Sequence, residues 1–287
     1  MLRKLTISLS LLTVFAINAF AQQQDFSKVE IKATKVAGNV WMLEGSGGNI
    51  GVSVGNDGVL IVDDQFAPLA EKIKAAIEKL TQSRLRFVLN THHHGDHTGG
   101  NEVFGETATI VAHSNVRKRL AANEKLRRLA LPVITFDQTL SVHFNGEEIQ
   151  AIHYPNGHTD GDGIIWFKTS NVVHLGDHMM TERFPFIDVT SGGSLDGWIK
   201  NIAAIIPTLP ADIKIIPGHG RIASLDDLKQ LHKAVVDSSS FVRKHLAEGK
   251  DTAAIKALGL PAEFKSWASG FISADVWVES VARNTKK

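Results

Sequence analysis

The stretch from Thr91 to Gly100, THHHGDHTGG, constrains the fold more than any other part of the 287-residue sequence. It places four histidines and one aspartate in the six positions from His92 to His97. An apolar core excludes such a cluster, because each buried imidazole needs hydrogen-bond partners that six neighbouring residues do not find there. The remaining interpretations are a solvated polar loop and a metal site, and the stretch favours the metal site.

The residues before this stretch predict that it follows a β-strand. Residues 86–90, RFVLN, form a short apolar run that leads directly into Thr91. The loops beyond strand ends are where α/β proteins gather their ligand-binding groups. The histidine-rich stretch is therefore in a position typical of a functional site.

Strand and helix patterns alternate along the chain and predict an α/β protein. Strands are predicted at VWML, NIGVSVG, GVLIVDDQ, RFVLN, ATIVAH, QTLSVHF, EEIQAIHY, DGIIWFKT, NVVHLGD and DIKIIPGHG. Helices are predicted from Pro68 to Leu80, near Val116 to Leu129, from Leu195 to Ile206, and through a long C-terminal tail. We predict a single domain over residues 22–287, with metal motifs in residues 91–220 and a helical part in residues 221–287.

The first 21 residues resemble a secretory signal peptide. A basic start, MLRK, precedes an apolar run from Leu5 to Ile17 and small residues at Ala19 and Ala21. The run is too short to span a bilayer comfortably, so cleavage after Ala21 is favoured over a membrane anchor. We expect a periplasmic or secreted protein without stable membrane insertion after cleavage.

The composition excludes several classes of function. The chain has no cysteine, so it is not a disulfide-stapled scaffold, and its metal ligands must be His, Asp, Glu or water. Its formal net charge of +1 becomes −1 without Arg3 and Lys4, and no basic block remains to bind nucleic acid. The basic run from Arg117 to Leu129 is interpreted as the solvated face of a helix.

Three later motifs repeat one local pattern, in which a strand is followed by a glycine and a metal-ligating residue type. They are NGHTDGD with His158, HLGDHM with Asp177 and IPGHGR with His219. Glycine lets the backbone approach closely and release the next side chain into a shared space. A lone strand-end histidine is more often structural, but several such motifs in one chain indicate a common metal site.

These motifs resemble those of the metallo-β-lactamase superfamily. HHHGDH matches the HxHxDH signature of that superfamily, and the three later motifs follow in the same order as its remaining metal positions. VLIVDDQ also resembles its early strand, with Asp63 in the place of a structural aspartate. The resemblance covers roughly residues 39–220. It implies a four-layered αββα sandwich of two mixed β-sheets flanked by helices, with a two-metal site at one edge.

The resemblance assigns a ligand set to two metal ions. One zinc would be held by His92, His94 and His158, and the second by Asp96, His97 and His219, with Asp177 bridging the two. Nitrogen-rich sites with carboxylates and no thiolate suit Zn²⁺. Two zinc ions per chain are expected, and Mn, Fe or Co remain open as alternatives.

Such a site implies hydrolysis. Two metal ions about 3.5 to 4 Å apart share a water and lower its pKa, which supplies a bridging hydroxide that attacks a carbonyl carbon. Asp96 is the predicted catalytic residue, which orients the nucleophile and manages its proton. The leading interpretation is an exported dinuclear zinc hydrolase acting on an ester, lactone, thioester or amide of a small molecule.

Two alternatives stay open. The first is a metallo-β-lactamase that hydrolyses β-lactam antibiotics. Zinc β-lactamases that resemble this chain carry Cys or Ser where Asp177 stands, and the cysteine-bearing group places a substrate-binding Lys where this chain has Met180, although Arg183 lies nearby. A bridging aspartate resembles glyoxalase II and the lactonases instead, but the basic glutathione-binding motif of glyoxalase II is not found in FVRKHLAEGK. The second alternative is a noncatalytic periplasmic zinc-binding accessory protein. The substrate and the oligomeric state are left open.

The loop from Glu182 to Ser194 has two interpretations. Its aromatic residues Phe184 and Phe186 either form a wall that faces the substrate or pack into the core beneath the site. His93, between the ligands, is predicted to point away and support them. His178, directly after Asp177, is a weaker candidate for lining the site.

Further residues near the motifs are given supporting roles. Asp160 and Asp162 are expected to buttress the loop of His158 by accepting hydrogen bonds. Trp198 is expected in the core.

Overall fold

The computed structural model describes residues 25–285, and the predicted signal peptide lies outside the described residues. Two mixed β-sheets form the centre. The first sheet has the strand order β1-β2-β3-β4-β5-β6-β7 and the second the order β13-β12-β11-β10-β9-β8. The first sheet consists of β1 (Lys32–Ala37), β2 (Val40–Glu44), β3 (Ile50–Gly55), β4 (Gly58–Val62), β5 (Leu85–Asn90), β6 (Thr109–His113) and β7 (Ile134–Phe136).

The second sheet follows the first along the chain. It consists of β8 (Thr139–Phe144), β9 (Glu147–His153), β10 (Gly163–Phe167), β11 (Val172–Met180), β12 (Lys214–His219) and β13 (Ala223–Ser224). Strands β4 to β7 are paired in parallel, as are β11 and β12, and the other pairs are antiparallel.

The helices of the described residues are α1 (Ala70–Glu78), α2 (Gly95–Thr98), α3 (Asn101–Phe104), α4 (Ser114–Ala121), α5 (Leu195–Ile205), α6 (Leu225–Ala247), α7 (Thr252–Leu258) and α8 (Ala274–Thr285). Helices α1 and α3 pack on the outer face of the first sheet, and α5 to α8 pack on that of the second. Within residues 25–285, no helix has both the length and the apolar character needed to cross a membrane.

Three apolar clusters separate four layers. Strand β4 contributes side chains to two of these clusters. Leu60 and Val62 point between the sheets, while Val59 and Ile61 point outward and pack with Ile73 of α1. Since both faces of β4 are covered, the strand is a continuous apolar run rather than an alternating one. The third cluster joins the second sheet to α5, α6 and α8. The predicted αββα sandwich is confirmed.

The predicted charged helix is shorter in the structure. Helix α4 ends at Ala121, and only a short 3₁₀ turn, Arg128–Ala130, follows it within the basic run. The Asn123 side chain accepts a hydrogen bond from the Lys125 backbone N–H at 3.2 Å, which stabilises a turn in place of a further helical turn. The basic run is exposed over most of its length, in agreement with a solvated surface.

Candidate metal centre

All seven predicted metal ligands meet at one edge of the two sheets. His92 and His94 lie in the loop after β5, and the short helix α2 directly follows with Asp96 and His97. His158 comes from the loop between β9 and β10. Asp177 and His219 come from the neighbouring parallel strands β11 and β12.

Asp177 lies within a strand and not beyond its end, which differs from the predicted position. Strand β11 continues to Met180, but its pairing with β12 is shifted on both sides of Gly176. Gly176 has a φ of +51°, and a Cβ there would lie 2.7 Å from Thr91. A Cβ on Gly218 would lie 2.0 Å from Asp177 Oδ1. The two glycines therefore make room for the Asp177 carboxylate within the sheet.

The first ligand group consists of His92, His94, His158 and Asp177. One potential ligand atom from each residue lies within 4.8 Å of the others. His94 Nδ1 is 3.2 Å from His92 Nε2 and 2.9 Å from His158 Nε2. Asp177 Oδ2 is 3.5 Å from His158 Nε2. Three imidazole nitrogens and a carboxylate oxygen thus converge as a zinc ion requires.

The second group consists of Asp96, His97 and His219, which meet the same 4.8 Å limit. His219 Nε2 is 3.4 Å from both His97 Nε2 and Asp96 Oδ2. Asp177 Oδ1 lies 3.2 Å from His97 Nε2 and 3.4 Å from His219 Nε2. The two oxygens of Asp177 therefore face different ligand groups.

The Asp177 carboxylate tests whether a metal fits. Its side chain is only 5% exposed, and its buried Oδ1 makes no hydrogen bond of acceptable geometry despite the two nearby imidazole nitrogens. An unsatisfied buried carboxylate oxygen is costly unless a cation compensates it. The donor set and this orphaned oxygen both fit a metal ion at the second group.

In each histidine of the first group, the ring nitrogen that faces away from the other ligands lies within hydrogen-bond distance of another protein group. His94 Nε2 donates to Asp188 Oδ2 at 3.0 Å, and His158 Nδ1 donates to the Phe186 carbonyl at 2.7 Å. His92 Nδ1 lies 3.0 Å from Thr91 Oγ1. Contacts of this kind fix the tautomer and orient the ligating nitrogen.

Asp63 supports the second group, as the resemblance to the family implied for a structural aspartate at this position. It accepts hydrogen bonds from the Thr91 backbone N–H at 2.8 Å, from Thr91 Oγ1 at 2.7 Å and from His97 Nδ1 at 2.7 Å. Its φ of +63° lies in the left-handed region that non-glycine residues rarely adopt. These three hydrogen bonds hold the strained backbone of Asp63 in place.

The charges of the first group suit cation binding near neutral pH. Burial lowers the pKa of His158 to about 4 and that of His92 well below its usual value. Burial opposes ionisation of Asp177, but the nearby imidazoles of His97, His219 and His158 outweigh it and hold the pKa of its carboxyl well below the usual range. Neutral imidazoles and an ionised carboxylate are the states that ligate metals.

The carboxylates around the second group favour the protonated form of its two histidines. Burial of the His219 imidazole disfavours its protonation, but Asp177 and Asp96 nevertheless raise its pKa to about 9. In the same way, Asp177 and Asp63 outweigh burial and raise the pKa of His97 well above its usual value. The carboxylates therefore favour a positive charge at this point, which a metal ion supplies.

The neighbours of the ligands largely occupy their predicted places. Asp162 accepts from the Thr159 backbone N–H and hydroxyl, and Asp160 forms a bidentate ion pair with Arg119 at 2.6 and 2.7 Å, so both fix the loop of His158. Trp198 is fully buried in the core.

Two further histidines were assigned to the surroundings of the ligands. His93 is outside the two predicted ligand groups, and its Nε2 lies 3.3 Å from Ser191 Oγ. It forms a third group of potential ligand atoms with His94 and Asp188. His178 is buried against Asn201. It is not among the residues that line the cavity beside the two ligand groups, so it does not line the site as was suggested.

In the loop from Glu182 to Ser194, one of the two aromatic residues packs into the core and the other faces the site. Phe184 is fully buried and stacks on Trp277 with ring centroids 4.3 Å apart. Phe186 lines the metal cavity, with its ring centroid 6.3 Å from that of His94 and 5.9 Å from that of His158. Phe184 is therefore a core residue and Phe186 a wall of the site.

The cavity above the two groups has a volume of about 510 Å³. Its polar lining includes His94, Asp96, His158, Asp177, His219 and Arg183, and its apolar side chains are Met180, Phe186, Phe271 and Ile272. A second cavity of about 730 Å³ adjoins it and shares Met180 and Arg183. The first cavity is large enough for a small molecule.

Asp188, Phe271 and Ile272 were not predicted from the sequence as residues of the site. The local sequence signal at Asp188 is the motif DVTS. In the structure, the Asp188 side chain accepts a hydrogen bond from the Ser191 backbone N–H at the start of a 3₁₀ turn. That motif predicts a turn and not a contact with a ligand. Phe271 and Ile272 lie in the C-terminal part, far along the chain from the metal motifs.

Comparison with known proteins supports the resemblance over most of the chain. Residues 33–219 match the family model of the metallo-beta-lactamase superfamily. The chain belongs to this superfamily. It is a hydrolase of that superfamily with a candidate His/Asp metal-binding cluster, and metal binding, typically of zinc, is general in the family.

Two curated relatives illustrate the range of this superfamily. A metallo-beta-lactamase type 2 of Bacteroides fragilis is 21% identical over 253 residues, which cover 82% of this chain and 98% of that protein. A hydroxyacylglutathione hydrolase of Rhodospirillum rubrum is 31% identical over 154 residues, which cover 53% of this chain and 54% of that protein.

Solved structures share the fold. The DIM-1 metallo-beta-lactamase matches with a TM-score of 0.63 and 20% identity, over 73% of this chain and 99% of that chain. A double mutant of the sec-alkyl sulfatase PisA1 matches with a TM-score of 0.71 and 15% identity, over 88% of this chain and 50% of that chain.

Proposed function

We propose that the protein is an exported hydrolase that binds two zinc ions per chain and cleaves an ester, lactone, thioester or amide in a small molecule. The observation that carries the proposal is the placement of Asp177, whose two carboxylate oxygens face two separate ligand groups. Bridging carboxylates are typical of two-metal hydrolytic sites. The cavity above the groups supports a catalytic role over a closed structural site.

The two ligand groups would hold the metal ions, His92, His94 and His158 holding one, Asp96, His97 and His219 the other, with Asp177 shared between them. When bound, the ions would activate water and polarise the substrate carbonyl. The remaining steps belong to the side chains of the chain itself.

Asp96 is the proposed catalytic residue. Its side chain is 30% exposed and lines the cavity, while its Oδ2 lies 3.4 Å from His219 Nε2. Burial opposes its ionisation, but the hydrogen bond from His219 and the charge of His97 lower the pKa of the Asp96 carboxyl. An ionised carboxylate facing the substrate is able to orient the attacking nucleophile and to accept its proton.

The proposed export depends on the first 21 residues. The basic start, the apolar run and the small residues before the cleavage position favour a periplasmic or secreted location. Fractionation of cells that express the full chain, with mass determination of the mature protein, tests this. A protein retained in the cytoplasm with an intact N-terminus contradicts it.

A substrate panel tests the proposed reaction. The zinc-loaded mature protein is assayed against lactones, thioesters, carboxylic esters and β-lactams, and the metal content of the same sample is measured. We expect two zinc ions per chain, loss of activity with a chelator and recovery with added zinc. Full activity in a preparation that elemental analysis shows to be metal-free excludes the proposal.

A β-lactamase is the second candidate, and Arg183 is the observation that favours it. Arg183 lines the metal cavity, and its Nε is buried without a hydrogen-bond partner. A guanidinium with an unpaired Nε there is suited to a carboxylate such as that of a β-lactam, for which Met180 provides no charge. Turnover of a chromogenic cephalosporin that weakens strongly in Arg183→Ala supports this candidate, and absence of turnover by the zinc-loaded protein excludes it.

A further inference from the structure

Phe271 is an exposed aromatic residue at the mouth of the metal cavity. Its side chain is 76% exposed, more than any other exposed large apolar side chain among the described residues. It lies between the 3₁₀ turn Ala262–Trp267 and α8, outside residues 33–219, which match the family.

The backbone on both sides of Phe271 is held in place. The next side chain, Ile272, is only 2% exposed and packs into the core cluster around α5, α6 and α8. The preceding Gly270 has a φ of +62°, a conformation that turns the chain and favours glycine. The segment thus presents the Phe271 ring toward solvent while its neighbour is anchored.

The Phe271 ring meets a second aromatic ring at the cavity. Its centroid is 5.8 Å from that of Phe186, with an interplanar angle of 78°. Phe186 in turn contacts His94 and His158, and its carbonyl accepts the hydrogen bond from His158 Nδ1. A continuous apolar surface therefore runs from the ligand groups to the rim.

The lining of the cavity separates by polarity. The polar side chains are the candidate ligands and Arg183, and the apolar side chains are Met180, Phe186, Phe271 and Ile272. A molecule that fits this arrangement carries its reacting carbonyl on the polar side and an apolar group on the other. Burying each methylene of such a group strengthens binding by roughly fourfold when burial is complete.

We propose that Phe271 and Phe186 form an aromatic clamp that selects acyl substrates with an apolar chain, such as medium-length alkyl esters or thioesters. The proposal rests on the proposed function of the site. Phe271 is the specificity-determining residue, since it adds contact area at the rim and is not in contact with the candidate metal ligands.

The test is a series of acyl esters with one leaving group and chains from acetyl to octanoyl, assayed with the zinc-loaded protein. We expect the ratio of kcat/KM for octanoyl to that for acetyl to be well above one. In Phe271→Ala this ratio should fall roughly tenfold, mainly through KM, and Phe271→Leu should retain part of it.

Leu258→Ala is the matched control. Leu258 is also an exposed apolar side chain of the C-terminal part, 57% exposed at the end of α7, and does not line the cavity. Its substitution should leave the ratio unchanged. An octanoyl-to-acetyl ratio that is the same in the wild type and in Phe271→Ala overturns the proposal.

A binding measurement separates this proposal from that of the reaction. Calorimetric titration with alkyl carboxylates from butanoate to decanoate reports on the clamp without hydrolysis. If the zinc-loaded protein hydrolyses no ester, lactone, thioester or amide but binds longer carboxylates more tightly, and Phe271→Ala removes that preference, the clamp is supported and the proposed reaction fails. If esters are hydrolysed but neither measurement depends on chain length, the clamp is overturned alone.

Discussion

Asp188 orients one candidate metal ligand, His94, from outside the two predicted ligand groups. It accepts the Nε2 proton of His94 and leaves Nδ1 directed at His92 and His158. Burial opposes its ionisation, but hydrogen bonds from Ser191, Thr190 and His94 hold the pKa of the Asp188 carboxyl well below its usual range. It therefore stays an acceptor across the physiological pH range.

Removing this acceptor should weaken metal binding. In Asp188→Ala the His94 ring loses the contact that fixes its tautomer and orientation, and we expect roughly a 10- to 100-fold loss of zinc affinity at the first group. Competition with a chromophoric chelator measures the affinity. Asp188→Asn retains an acceptor oxygen and should lose less.

Asp196→Ala is a suitable control, because Asp196 is an exposed acid on α5 paired only with Arg243. It should bind zinc as the wild type does. Equal affinities in Asp188→Ala and the wild type would show that His94 needs no support from Asp188.

The residues of the candidate site could be predicted where a short stretch of sequence around them indicates a metal ligand. Each predicted ligand lies beside a glycine or inside the HHHGDH stretch, and the structure brings all of them together. Whether they bind metal stays a prediction. Asp188 could not be predicted, because it lies 94 residues from His94 and its own neighbourhood indicates only a turn.

At the scale of elements, the loop from Glu182 to Ser194 serves both the core and the site. The two substitutions Phe184→Ala and Phe186→Ala should therefore separate stability from function. Phe184→Ala removes a fully buried ring stacked on Trp277 and should lower the free energy of unfolding by about 3 to 5 kcal/mol. Phe186→Ala should raise KM, with a smaller loss of stability.

Thermal denaturation and steady-state kinetics on both variants measure these effects. A raised KM in Phe184→Ala without any fall in melting temperature would contradict the assignment of that residue to the core.

Two histidines at the ends of strands from different sheets stack on each other. His113 ends β6 and His153 ends β9, and their rings are 3.7 Å apart with an interplanar angle of 13°. Burial and the neighbouring imidazole lower the pKa of His113, and burial lowers the pKa of His153. Asp137 and Asp160 oppose these shifts only in part.

This pair should make stability depend on pH. With a folded-state pKa below the unfolded value of 6.5, its contribution is present above that value and is lost as the pH falls through the folded pKa. We expect the melting temperature to fall from pH 7 toward pH 5, and to fall less in His153→Phe, which keeps a ring but takes no proton. His143→Phe, at an exposed histidine of β8, should show the wild-type slope.

The fold was predictable where strands are buried on both faces. Strand β4 and its neighbours are apolar runs that the sequence displays directly. Strand β1 was missed, because it is an edge strand with no fully buried residue and therefore lacks such a run. Helix α4 was predicted too long, because local turn formation at Asn123 ends the helical pattern early.

At the scale of the whole molecule, the candidate metal centre joins the two sheets. His92, His94 and the helix α2 follow β5 of the first sheet, while Asp177 and His219 belong to the second. Each ligand group takes residues from both sheets. A bound ion would therefore resist separation of the sheets, and not only order a surface loop.

Zinc should accordingly raise the stability of the entire protein. A ligand that binds only the folded state at a thousand times its dissociation constant stabilises it by about 4 kcal/mol, which corresponds to on the order of 10 °C for a chain of this size. We expect the melting temperature of chelator-treated protein to rise with zinc concentration and to saturate at two ions per chain. In Asp177→Asn the rise should be much smaller, because the carboxylate that faces both ligand groups has lost its charge. A melting temperature that does not change while two zinc ions bind would show that the ions sit on a surface and do not join the sheets.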